Sequence, residues 1–77
     1  MLKRLVEVLV RNLVEDPDQV TVTEVEAPRA VTFEVRVASG DMGKVIGRQG
    51  RVAKAIRTVV KAIAVKDGRR VTVEFLP

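Results

Sequence analysis

The first fifteen residues carry apolar side chains with the period of an α-helix. These side chains recur three or four positions apart, at Leu2, Leu5, Val6, Leu9 and Leu13. That spacing places them on one face of a helix. Glu7 precedes Arg11 by four residues, an order that favours an ion pair on a helix surface. Pro17 disfavours helical backbone at the residue before it, so an amphipathic helix is predicted over residues 2–15.

Two segments with the period of a β-strand follow the helix. Residues 20–25 are mostly β-branched, which favours a strand. The next segment alternates apolar and polar side chains, with the apolar ones at Val31, Phe33, Val35 and Val37. Such alternation is typical of a strand with one buried face. Residues 27–30 include Pro28 and form the predicted turn, so the two strands should pair as an antiparallel hairpin.

The helical period returns after this hairpin. Asp41 stands where it can cap a short helix over about residues 41–46. A second helix is predicted from Gly50 or Arg51 to about Lys66. Its apolar face carries Val52, Ile56, Val59, Val60 and Ile63. Its basic face is about 120° wide at helical spacing and carries Arg51, Lys54, Arg57 and Lys61.

A third strand completes the predicted fold. Asp67 and Gly68 should end the preceding helix, because glycine suits the left-handed backbone that follows many helices. Val71, Val73 and Phe75 then alternate with polar residues, so Phe75 should face the core. Two helices between two strands form a crossover, which predicts that the third strand runs parallel to the second. The result is an α+β domain of order α-β-β-α-α-β, with a three-stranded mixed sheet and three helices packed on one face.

The composition excludes several classes of chemistry. The 77 residues contain no His and no Cys, which removes the commonest general base, a common nucleophile and most transition-metal ligands. We therefore expect no enzyme, no cofactor and no metal. No stretch approaches the roughly 18 apolar residues of a membrane span, and the charged N-terminus does not resemble a signal peptide. A cytoplasmic protein is expected.

The net charge of the chain is concentrated in one short stretch. Residues 40–57 contain five basic side chains and only Asp41 as an acidic one, whereas the remaining residues contain nine of each sign. All of the formal net charge of +4 therefore lies in that stretch. A solvated helix face would mix both signs, so the concentration favours a binding site for a polyanion.

Four of the five glycines lie in this same stretch, three or four residues apart: Gly40, Gly43, Gly47 and Gly50. A missing side chain serves either close packing of a helix on a sheet or close approach by a ligand. We assign close packing to Gly43. We assign ligand approach to Gly47 and Gly50, because this pair brackets Arg48 and Gln49 and is followed by Arg51.

The segment around this glycine pair resembles the V/I-I-G-x-x-G motif of KH domains. Its residues are Val45-Ile46-Gly47-Arg48-Gln49-Gly50, followed by Arg51-Val52-Ala53-Lys54-Ala55-Ile56. The order of elements is similar to that of type II KH domains, and nearly the whole chain resembles the KhpA (YlqC) family of stand-alone bacterial KH proteins. The resemblance implies a single KH domain over residues 1–77 with its GXXG loop at 47–50. It also implies a single-stranded-RNA-binding protein that acts as an RNA chaperone or post-transcriptional regulator, with effects on cell shape and cell-wall organisation.

The resemblance further implies which residues contact RNA. KH loops contact the backbone of about four nucleotides, while the bases lie in an apolar groove. Carried onto this chain, the RNA-binding residues are Lys44, Val45, Ile46, Gly47, Arg48, Gln49, Gly50, Arg51, Lys54 and Arg57. The amides of Gly50 and Arg51 would meet a phosphate at a helix N-terminus.

Base recognition in this chain should not depend on aromatic side chains. The chain has no Trp or Tyr, and both Phe residues are predicted to face inward. Val45 and Ile46 would line one side of the base groove. Val35 and Val37 of the second strand would line the other. Binding would then rest on backbone contacts and aliphatic packing, with modest affinity and loose sequence preference.

A protein-interaction module is the alternative to an RNA-binding protein. Val8, Val10 and Val14 flank the apolar face of the first helix and widen it. The resemblance implies pairing with a second copy of the chain as a homodimer, or with a second KH protein of the KhpB (Jag) type. Membranes and small-molecule substrates are not expected partners, because the basic helix uses its apolar face for the core.

Overall fold

The computed structural model of the chain describes residues 2–65 and 68–77. Its helices and strands are α1 (Leu2–Arg11), β1 (Thr21–Ala27), β2 (Ala30–Arg36), α2 (Met42–Ile46), α3 (Arg51–Ala64) and β3 (Arg70–Leu76). Single turns of 3₁₀-helix lie at Pro17–Gln19, Ser39–Asp41 and Arg48–Gly50. The predicted α-β-β-α-α-β order is confirmed. Among the described residues, no helix has the length and apolar character needed to cross a membrane.

Helix α1 is shorter than predicted. After its last turn, the Asn12 side chain donates to the carbonyl of Val8 with an Nδ2···O distance of 2.7 Å. The amide of Leu13 donates to the carbonyl of Val10 at 3.0 Å. Asparagine side chains compete with the helical hydrogen-bond ladder in this way, so the helix stops here. Its buried residues are Val6 and Val10, whereas Leu13, which was predicted on the buried face, is 39% exposed.

Strand β2 is the central strand of the sheet, which has the order β1-β2-β3. It pairs antiparallel with β1 and parallel with β3, as predicted. The side chains of β2 and β3 that face the helices are buried, at Val31, Phe33, Val35, Val71 and Val73. They form one core with the buried residues of all three helices, so the helices cover this face of the sheet. The other face carries polar residues such as Thr32 and Glu74.

Helix α3 packs on the sheet through a set of residues that only partly matches the prediction, with Ile56 and Val60 buried as predicted. Its buried side chains are Ala53, Ile56, Val60 and Ala64. Val59 was predicted on this face but is 45% exposed, because it lies about 100° from Val60 around the helix. The predicted helix end at Lys66 and Asp67 lies outside the described residues. Gly68 has the positive φ predicted for it, 69°.

Asp41 occupies the predicted N-cap position of α2, but its side chain makes no capping hydrogen bond there. The side chain is only 3% exposed, and its two carboxylate oxygens accept hydrogen bonds from the segment that follows α1. The amides of Glu15 and Asp16 are the donors, each at 3.1 Å. This contact holds the connection between α1 and β1 against the start of α2.

Replacement of Asp41 by Ala should destabilise the protein by about 1–3 kcal/mol, because two partly buried amides lose their acceptor. Asp41→Asn keeps one acceptor oxygen and should cost less than Asp41→Ala. Urea unfolding followed by far-ultraviolet circular dichroism measures the difference, since the chain has no Trp or Tyr for fluorescence. Equal stability of the wild type and D41A would contradict this role.

Candidate nucleic-acid interface

The four-residue loop 47–50 joins α2 to α3 through an uncommon backbone. Gly47 has φ 76° and ψ 174°, and Gly50 has φ 74°. Gln49 has φ 58° and ψ 26°, in the left-handed region that residues other than glycine rarely adopt. Three positive φ values in four residues let the chain reverse within the loop before α3 begins.

Gly47 is required by close packing inside this helix–loop–helix unit. A β-carbon at this position would lie 2.9 Å from both the backbone nitrogen and the Cβ of Val52. Gly43 differs, because an added β-carbon would meet nothing within 4 Å. The packing role predicted for Gly43 is therefore wrong. Gly50 also has open space around it, so only its positive φ disfavours other residues.

The loop uses some of its own amides for hydrogen bonds. Gly50 donates to the carbonyl of Gly47 at 3.2 Å, and Arg51 donates to the carbonyl of Arg48. These are the two amides that the sequence suggested for a phosphate, and in this structure they are already engaged. Among the described residues, the amides of Arg48 and Gln49 donate to no acceptor. These two are the loop amides left for a ligand.

Three cations around the loop are exposed and have no acidic partner among the described residues. The side chains of Arg48, Arg51 and Lys54 are exposed. None of them forms an ion pair with a carboxylate in residues 2–65 or 68–77. Lys44 does have a partner, with its Nζ 3.5 Å from a carboxylate oxygen of Glu15 at the surface. An exposed pair of this kind contributes little stability, so Lys44 can exchange Glu15 for a phosphate.

The Arg57 side chain contacts β3, a strand at the edge of the sheet. Its Nε donates to the carbonyl of Val73 at 2.9 Å, and its guanidinium carbon lies 5.6 Å from the centre of the Phe75 ring. Because β3 is an edge strand, this carbonyl would otherwise point away from the sheet without a strand partner. Phe75 was predicted to face the core and is half-buried. Arg57 remains exposed, so its other nitrogens can still meet a ligand.

The apolar residues expected to line a base groove lie mostly in the core. Val35 and Val45 have 0% exposure, and Val37 has 5%. The groove expected between them is therefore not present, because a buried side chain has no surface to offer a base. The cause is topological: β2 lies between β1 and β3, and the helices cover its apolar face. Ile46 is half-buried and keeps some surface beside the loop.

A small groove of about 70 Å³ lies instead between α3 and the free edge of β3. Its lining residues are Arg57 and Lys61 of the helix with Val71, Thr72 and Val73 of the strand. The sequence contains the signal for this placement. A hairpin puts β1 on one side of β2, so a third strand that pairs with β2 in parallel takes the other side and becomes an edge. The predicted basic face of α3 thus lies beside β3 and not beside β2.

Sequence comparison places the chain among KH-domain proteins. A family model described as the KhpA/KhpB KH domain matches residues 3–75. The RNA-binding protein KhpA of Clostridium acetobutylicum is 53% identical over 75 residues, which cover 97% of this chain and 100% of the relative. The RNA-binding protein KhpA of Aquifex aeolicus is 48% identical and covers 97% of this chain and 95% of the relative.

Two solved structures of the Era protein share the fold. One is a variant of Aquifex aeolicus Era bound to GDP and AlF₄⁻, with a TM-score of 0.70 and 20% identity. The other is Era with MgGDPNP and a segment of 16S ribosomal RNA, with a TM-score of 0.71 and 20% identity. Each match covers 96% of this chain but less than a third of the Era chain (29% and 28%). At this identity the likeness concerns the fold, and it confirms the KH-type arrangement.

Proposed function

The chain belongs to the KhpA/KhpB family of KH domains, and on that premise we propose that it binds single-stranded RNA. The contacts would be made by the loop 47–50 and by the basic flank of α3, which comprises Arg51, Lys54 and Arg57. One observation carries the proposal. An exposed, glycine-bounded loop offers two amides that donate to no acceptor in the described part of the chain, next to cations that no described carboxylate neutralises.

The proposed RNA-contacting residues surround the loop: Lys44, Ile46, Gly47, Arg48, Gln49, Gly50, Arg51, Lys54 and Arg57. The basic members would bind phosphates through charge-assisted hydrogen bonds. The Gln49 side chain can donate to a phosphate or a sugar, and Gly50, which has open space where a side chain would lie, lets the RNA backbone approach. Val45 has no part in this set, because its side chain is fully buried.

Sequence recognition by this site should be weak. Phe33 is 1% exposed, and Phe75 is half-buried with the Arg57 guanidinium carbon 5.6 Å from its ring centre, so little ring surface is left for a base. Base contact would rest on Ile46 and on the planar guanidinium of Arg57, a surface on which bases can stack. Binding dominated by the RNA backbone suits an RNA chaperone or post-transcriptional regulator. Effects on cell shape and cell-wall organisation would follow from the RNAs that are bound.

The affinity for single-stranded RNA should fall steeply with salt. Three or four phosphate contacts give a slope of about −2 to −3 for log affinity against log salt, at roughly −0.7 per contact. Fluorescence anisotropy of a labelled unstructured RNA between about 50 and 200 mM salt measures this slope. A slope near zero would argue against phosphate contacts and favour a protein partner.

An apolar groove between α1 and α3 favours a second function, self-association. Its lining residues are Leu9, Leu13, Val52, Ala55, Ile56 and Val59, with Arg51 at one end, and its volume is about 370 Å³. Two of these apolar side chains are 39% and 45% exposed, and an exposed apolar patch on a small domain marks an interaction site. We propose that a second copy of the chain covers this groove in a homodimer. A KH protein of the KhpB (Jag) type is the alternative occupant.

Val59→Glu should weaken this homodimer by about 100-fold or more, because a symmetric interface would bury two unpaired carboxylates. Val25→Glu is the matched control. Val25 is 48% exposed, close to the 45% of Val59, but it lies on the open face of the sheet. Sedimentation equilibrium measures the dissociation constants. A wild-type chain that stays monomeric at every concentration would rule out the homodimer and leave the second KH protein.

A further inference from the structure

A second basic surface lies at the end of α3 opposite the loop. A concave surface of about 680 Å³ forms there between the end of α3, the turn from β1 to β2 and the start of β3. The basic residues that line it are Arg29, Lys61, Arg69 and Arg70. They come from three separate segments of the chain, so only the fold brings them together.

Backbone contacts fix the three segments relative to one another. The amide of Arg70 donates to the carbonyl of Arg29 at 3.0 Å, which holds the hairpin turn beside the start of β3. Ala30 and Arg70 are neighbours in the parallel register of the sheet. Lys61 lies in the last turn of α3, which packs on the sheet through its buried Ala64. The basic surface is therefore part of the rigid frame and does not depend on one flexible loop.

A single described carboxylate offsets this positive charge. Glu26 lies 3.6 Å from the Arg69 guanidinium, with 59% of the Glu26 side chain and 36% of the Arg69 side chain exposed. Arg29, Lys61 and Arg70 are exposed and form no ion pair within residues 2–65 and 68–77. An open surface with an excess of cations attracts polyanions.

The second basic surface is continuous with the proposed RNA site. Lys61 and Val71 line both this surface and the groove between α3 and β3. Arg57 lines the same groove, and the basic flank continues from there to Arg51 beside the loop. The helical rise places Lys61 about 15 Å from Arg51. The cations thus form a track along one side of α3, from the loop to the far end of the helix.

We propose, building on the function proposed above, that the second basic surface binds phosphates of the same RNA strand after it leaves the loop. A line of exposed cations matches the regularly spaced phosphates of a nucleic-acid strand. A compact anion such as free phosphate would instead need several donors that converge on one point. The RNA strand therefore runs along α3, and the site extends beyond the nucleotides held by the loop.

RNA length provides the test. An oligonucleotide of about five nucleotides covers the four or so that a KH loop clamps, whereas one of about twelve can also follow α3. For the wild type, the longer RNA should bind at least about tenfold more tightly after correction for the number of binding registers. Its salt slope should be steeper by about 1.4 to 2.1, which corresponds to two or three further phosphates at roughly −0.7 each.

The variant Arg29→Gln with Arg70→Gln should lose this length dependence and keep the wild-type affinity for the short RNA. Neither residue lines the groove between α3 and β3, so the site around the loop stays intact. Lys3→Gln with Arg4→Gln is the matched control. It removes the same charge from two exposed positions on α1 and should keep the length dependence.

Two results would contradict the proposal that the RNA strand follows the cations along α3. One is equal affinity and slope for both RNA lengths in the wild type, and the other is an unchanged length dependence in R29Q/R70Q. Binding of inorganic phosphate tests whether the surface takes a small anion, and binding of polyglutamate tests whether it takes an acidic protein. If either binds the wild type but not this variant, while RNA length has no effect, the surface serves a small anion or an acidic protein instead. Failure of both RNAs to bind would also remove the proposed function, whereas tight binding of the short RNA without a length effect removes the track alone.

Discussion

Replacing Gly47 by Ala is expected to lower the free energy of unfolding by about 2–5 kcal/mol. The added methyl group would lie 2.9 Å from the backbone nitrogen and the Cβ of Val52, and moving them shifts the first turn of α3. The backbone of Gly47, with φ 76° and ψ 174°, also lies in a region that only glycine occupies readily. A domain of this size has about 4–12 kcal/mol in total, at roughly 0.05–0.15 kcal/mol per residue. The loss would therefore remove a substantial part of the total stability and bring a protein at the low end of that range to the point of unfolding.

Gly43→Ala is the matched control for this substitution. Gly43 lies inside α2, and an added β-carbon there meets nothing within 4 Å. Alanine is favoured over glycine in a helix by about 0.5–1 kcal/mol, so this variant should be more stable than the wild type. Urea titration of the three proteins should rank G43A above the wild type and the wild type above G47A. Equal stabilities of the two variants would refute the close contact at Gly47.

Charge reversal in the loop, Arg48→Asp with Gln49→Asp, is expected to lower the affinity for single-stranded RNA by about 100-fold or more. Loss of one charge-assisted hydrogen bond costs about 1.5–3 kcal/mol before any repulsion is counted, and about 1.4 kcal/mol corresponds to a factor of ten. The fold should survive, because both side chains are exposed. Aspartate also tolerates the left-handed backbone at position 49.

Arg4→Asp with Gln19→Asp controls for the change in net charge. It introduces the same residue types at exposed positions outside the loop and α3. At ionic strengths where charges about 10 Å apart are screened, this control should bind RNA nearly as well as the wild type. If the loop variant keeps wild-type affinity and its circular dichroism is unchanged, the loop does not contact RNA.

The elements of this fold could be predicted because each carries its own period. The alternation from Val31 to Val37 and the helical repeat from Val52 to Ile63 are local patterns, and each predicted element is present in the structure. The parallel pairing of β3 followed from the crossover. The end of α1 could not be predicted in this way. The apolar period continues to Leu13, past the last helical residue, and the path of the chain after the helix is set by Asp41, whose carboxylate binds amides 25 and 26 residues away in the sequence.

Only the part of the candidate site whose residues are close together in the sequence could be predicted. The glycine pair and the surrounding cations identify the loop, because they lie together in the sequence. The use of the Arg51 amide by the loop's own carbonyl and the burial of Val45 depend on three-dimensional packing. The second basic surface could not be predicted from the sequence for another reason. Arg29 and Arg70 lie outside the stretch that holds the net charge, among residues whose charges sum to zero.

Amide chemical-shift mapping during titration with a single-stranded RNA tests loop contact most directly. We expect the largest changes at Arg48 and Gln49, whose amides have no acceptor among the described residues. Smaller changes should follow the basic flank of α3, and all of them should disappear in the variant with Arg48→Asp and Gln49→Asp. Changes confined to the apolar groove between α1 and α3, or to the open face of the sheet, with the loop amides unmoved, would contradict RNA binding through this loop.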